Sequence, residues 1–106
     1  MKRMMIVARL RDGTQSDAEE LLAKGPPFDP EELGLEFHAA YLTSGEVVFV
    51  FGGTEVEWTV NDILDDPVVA TALAPWREIA DGMPHIAHER FYWTRGEGKL
   101  GVGLGA

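Results

Sequence analysis

Three histidines, His38, His85 and His88, are the side chains that change protonation near neutral pH. With no cysteine in 106 residues, they carry most of the acid–base and metal chemistry open to the chain. His85 and His88 lie three apart in a stretch that reads as a strand. They therefore point to opposite faces and cannot jointly hold a metal ion. No Ser-His-Asp order, carboxylate dyad or helical histidine pair accompanies them, so no metal site and no cofactor are expected. His38 stands in the run His38-Ala39-Ala40-Tyr41-Leu42 and is the candidate catalytic acid/base. The plainer alternative is a partly buried strand histidine that hydrogen-bonds locally. Ala40, Phe49 and Phe51 are candidate ligand-binding residues, the alanine because it leaves room and the phenylalanines as an apolar wall. His88, Arg90 and Tyr92 share one face of the last strand and join them as candidate ligand contacts.

The elements that must position these residues follow from pattern. Residues 4–10 form an apolar run closed by Arg11-Asp12-Gly13, a buried strand ending in a turn. Ser16-Asp17-Ala18-Glu19 fits a capping box, and Gly25-Pro26-Pro27 stops the helix that follows. Asp29-Pro30 starts one further short turn. Residues 36–43 and 46–52 flank Ser44-Gly45, a two-residue hairpin loop. That loop pairs Leu42 with Val47, Ala40 with Phe49 and His38 with Phe51 on one face. The other face holds Tyr41 with Val48 and Ala39 with Val50. Both faces are apolar, so this sheet needs a cover on each side.

Thr54-Glu55-Val56-Glu57 repeats the capping-box pattern and opens a helix with Trp58, Ile63 and Leu64 as its packing residues. Asp66-Pro67 starts a second segment, on which Val69, Leu73, Trp76 and Ala80 make one helical stripe and Pro75 a kink or restart. Residues 85–95 form the last strand. Residues 1–95 are expected to make one domain, and the glycine-rich residues 96–106 a flexible tail.

Composition narrows the partners. Eighteen acidic against nine basic residues give a formal charge of −9, which disfavours nucleic acid and anionic membrane surfaces. No run approaches the ~20 apolar residues of a membrane span, and the stretch after Met1-Lys2-Arg3 is too short for a signal-peptide core. A cytoplasmic location is the expectation. Apolar residues at 45% and charged ones at 25% are those of a folded domain.

The element order β-α-β-β-α-β is the ferredoxin-like pattern, an α+β fold with a four-stranded antiparallel sheet in the order 4-1-3-2 and both helices on one face. With its doubly apolar hairpin and the Asp-Pro start in Asp65-Asp66-Pro67-Val68-Val69, the chain resembles the dimeric α+β barrel superfamily over most of residues 4–95. The resemblance implies two subunits packed sheet against sheet and a small-molecule cavity between sheet and helices. Known members include antibiotic-biosynthesis monooxygenases, haem-degrading enzymes, muconolactone isomerase and stress-responsive barrels, so it implies no single chemistry. Two functions are expected on this basis. One is a cofactor-independent enzyme, monooxygenase- or isomerase-like, acting on a hydrophobic small molecule through His38. The other is a non-catalytic dimeric binding or accessory protein whose open sheet face is an interface.

Overall fold

A two-residue turn sets the register of the sheet's second half. In the computed structural model, which describes residues 2–95, the Thr43 N–H donates to the Glu46 carbonyl at 2.8 Å, and the Thr43 hydroxyl accepts from the Gly45 and Glu46 N–H groups. This joins β2 (Phe37–Leu42) to β3 (Glu46–Gly53). The pairing is the expected one: Leu42 faces Val47, Ala40 faces Phe49, and His38 faces Phe51. β3 then pairs with β1 (Lys2–Arg9), which pairs on its other edge with β4 (His85–His88). The order β2-β3-β1-β4, antiparallel throughout, is the ferredoxin-like arrangement.

Four helical pieces connect the strands: α1 (Gln15–Ala23), α2 (Val56–Asp65), α3 (Pro67–Ala72) and α4 (Ala74–Ile79). They cover one sheet face in two clusters. Met4 and Phe51 meet Val56, Val60, Ile63 and Val69 at one end. Leu10 and Val47 meet Ala18 and Ile79 at the other. The opposite face presents Met5 and Val7 of β1, Phe37 and Tyr41 of β2 and Val48 of β3, with Met5, Phe37 and Tyr41 exposed. Among the described residues the sheet is therefore apolar on both sides and covered by helices on one.

Several local expectations change. The last strand ends at His88 rather than residue 95. β4 runs antiparallel to β1 from Val7 back to Met4, and β1 ends at Lys2. The Glu89 N–H still reaches the Arg3 carbonyl at 3.3 Å, one position past the strand's end. Neither capping box forms. α1 begins a residue before Ser16, and α2 begins at Val56 with no side-chain cap. On α2 the buried residues are Val56, Val60 and Ile63, while Trp58 is 72% exposed and Leu64, at the edge of the space between helices and sheet, is 43% exposed. Trp58 lies two residues past Val56, roughly 200° around the helix and so on the far side. The Asp-Pro start holds: Asp66 accepts from the Val68 N–H at 2.8 Å with Pro67 in the first turn, and Pro75 opens α4 after a break at Leu73. The expected tail, residues 96–106, lies outside the described residues.

Candidate functional site

Between the helix-covered sheet face and α1, α2 and α4 lies an apolar cavity of about 720 Å³. It separates the two core clusters, where the helices do not close onto the middle of the sheet. Its floor is Ile6, Ala8, Ala40 and Phe49, side chains that β-pairing aligns on one face. Leu21 and Leu22 of α1 and Trp76 of α4 form walls. Trp76 meets Phe49 edge to face, with ring centroids 5.2 Å apart. Gly25 takes φ +83° just past α1, a left-handed turn open to glycine. That turn sends Pro26, Pro27 and Phe28 along the cavity instead of away from it.

His38 stands at one end of this space. Its ring is flanked by Phe51 at 4.8 Å and Phe28 at 5.3 Å between centroids. Nδ1 lies 3.0 Å from the Val50 carbonyl oxygen. A carbonyl can only accept, so this bond assigns the proton of the neutral ring to Nδ1 and leaves the lone pair on Nε2. Among the described residues Nε2 has no hydrogen-bond partner, and it is not sealed from solvent. Burial between the two phenyl rings lowers the His38 pKa below its ordinary 6.5, and the bond to the Val50 carbonyl opposes this more weakly. The ring is therefore neutral at pH 7, with a basic nitrogen at the edge of an apolar space.

The structure brings His38, Ala40, Phe49 and Phe51 together around one cavity. His88, Arg90 and Tyr92 do not line it. His88 lies level with Met4 on β4, exposed, with Nδ1 3.0 Å from a Glu57 carboxylate oxygen on α2. Arg90 belongs to a separate polar hollow with Lys2, Arg3 and Glu57. The Tyr92 ring lies under the Arg3 guanidinium, 3.6 Å from its central carbon, and Arg3 also pairs with Glu89 at 3.0 Å. Sequence reasoning missed Phe28 and left Trp76 among general core residues. Phe28 follows a helix stop, a position whose destination only the tertiary path decides.

No protein-family model matches the chain, and no curated protein does. Solved structures do. An L-rhamnose mutarotase from Formosa agariphila superposes with a TM-score of 0.67 at 12% identity, over 89% of this chain and 100% of that one. A protein of Mycobacterium tuberculosis matches with a TM-score of 0.62 at 13% identity, over 90% of this chain and 98% of the other. A candidate antibiotic biosynthesis monooxygenase from Chloroflexus aurantiacus gives 0.54 at 16% identity, over 91% and 100%. At these identities the likeness is one of fold: this chain shares the ferredoxin-like α+β arrangement of these structures.

Proposed function

We propose that this protein is a small homodimeric enzyme that takes a hydrophobic molecule into the helix-side cavity and moves a proton on it with His38. The observation that carries this reading is the tautomer of His38. A carbonyl holds Nδ1–H, and the free Nε2 stands beside an apolar cavity large enough for a two- or three-ring compound. A neutral imidazole there accepts a proton from a hydroxyl or an activated C–H. That is an opening step for isomerase- or monooxygenase-type chemistry. Of the activities named among the structural neighbours, one concerns a sugar. The apolar wall here suits a hydrophobic molecule better. Dimer formation is proposed from the second sheet face, where Met5, Phe37 and Tyr41 stand exposed and a second copy would cover them.

A binding protein without turnover is the rival reading. One observation favours it: among the described lining residues His38 is the only imidazole, carboxylate or thiol, so none of them stands opposite as a second acid/base. Paired ligands test the role of Nε2. Wild-type protein should bind 1-naphthol about tenfold more tightly than 1-methoxynaphthalene, which lacks the donated hydrogen, as expected of one buried hydrogen bond. His38→Phe should erase that preference while leaving the dimer intact by light scattering. A preference that survives the substitution would rule His38 out as the acceptor.

A further inference from the structure

We infer that the ligand of the cavity is an amphipathic organic anion, its apolar body on the aromatic floor and its anionic head group at Arg11 and Arg77. The inference rests on reading the cavity as a ligand site. Acidic residues outnumber basic ones two to one in this chain, 18 against 9, yet among the described residues the charged side chains lining the cavity are two arginines and no carboxylate. The arginines come from distant points of the sequence, Arg11 just after β1 and Arg77 on α4. Backbone bonding ties these elements together: the Arg11 N–H donates to the Ile79 carbonyl at 2.8 Å, and the Asp81 N–H to the Arg9 carbonyl at 2.8 Å. Arg11 Nε donates to the Ala80 carbonyl at 3.1 Å, which fixes the guanidinium plane and leaves its terminal nitrogens without a hydrogen bond among the described residues. Among the described residues neither arginine has a carboxylate within ion-pair distance.

An unpaired guanidinium offers a planar fork of donors matched to a carboxylate, sulfonate or phosphate ester. Both side chains are exposed, so a head group held there stays partly hydrated and escapes the cost of burying a charge. The apolar body would extend inward toward His38. His38 is level with Met4 across the sheet, and Arg11 lies seven residues further along β1's direction, roughly 20 Å by strand rise. The long arginine side chain spans part of that interval, and the remainder is the length of an elongated, mostly apolar ligand.

Two fluorescent probes that differ by one group separate the possibilities: 8-anilinonaphthalene-1-sulfonate and its neutral parent N-phenyl-1-naphthylamine, titrated into the full chain. The sulfonate should bind at least tenfold more tightly. The Arg11→Gln/Arg77→Gln variant should lose that advantage while holding the neutral probe within about twofold. Arg77→Gln alone, which leaves the Arg11 bonds at the β1–α4 junction intact, should lose part of it. Equal affinity of the two probes for the wild type, or an advantage that survives the double variant, overturns the anion assignment and leaves the cavity reading standing. If neither probe binds, or binding survives filling the floor with Ala40→Trp, the cavity reading falls as well.

Discussion

Phe51 joins the core to the candidate site, and Phe51→Leu tests both. The ring is 5% exposed, packs with Met4, Val56 and Val60 on one side, and lies 4.8 Å from the His38 ring and 6.2 Å from Phe28. Full truncation of a buried phenylalanine costs about 3–5 kcal/mol. Leucine keeps much of the aliphatic contact and loses the ring–ring terms, which are worth about 0.5–1.5 kcal/mol for such pairs. The expected destabilisation is about 2 kcal/mol, or a urea midpoint lowered by about 1 M, followed by tryptophan fluorescence. The same change admits water to the flank of His38. Burial is what lowers its pKa, so the pKa should rise toward 6.5 in an NMR titration of the imidazole. A stability loss below about 0.5 kcal/mol would show that the packing is misjudged. An unmoved His38 pKa would show that Phe51 is not what desolvates it.

The lowered His38 pKa also fixes a pH dependence. Below 6.5 the unfolded chain takes up a proton that the native ring resists, so stability should be complete above that pH and decline as pH falls through the native value. Wild type should lose more stability than His38→Gln between pH 7.5 and 5.5 in urea titrations, and equal losses would contradict the assignment. Asp66→Ala removes the acceptor for the Val68 N–H and should cost about 1 kcal/mol by thermal melting. Trp76→Ala should cost about 2 kcal/mol, below the figure for a sealed site because Trp76 is half-buried on the cavity wall, and it should weaken N-phenyl-1-naphthylamine binding.

What was legible in the sequence divides along physical lines. The hairpin register is legible because a two-residue loop and a period of two leave one alignment, which puts His38, Ala40, Phe49 and Phe51 on a single face. The Asp66-Pro67 start was equally local, a cap and a fixed φ in adjacent residues. The last strand was over-read. Phe91, Tyr92 and Trp93 have strand-forming side chains, but β-propensity is not enough without cross-strand pairing, and the described pairing of β4 with β1 covers His85–His88. Trp58 was placed inside because it is large and apolar, although its angle around α2 points outward. For the site, the floor was legible and the walls were not. Phe28, Arg11 and Arg77 reach the cavity through the path of a loop and the meeting of α4 with β1, neither of which leaves a trace in local spacing.

The central claim, that the space between sheet and helices is where a hydrophobic molecule binds, is tested most directly by intermolecular NOEs from bound N-phenyl-1-naphthylamine to assigned side chains. The account predicts contacts to the Ala40 methyl group and to the rings of Phe49, Trp76 and His38. Contacts instead to Met5, Val7 and Tyr41, on the other face of the same sheet, would contradict it.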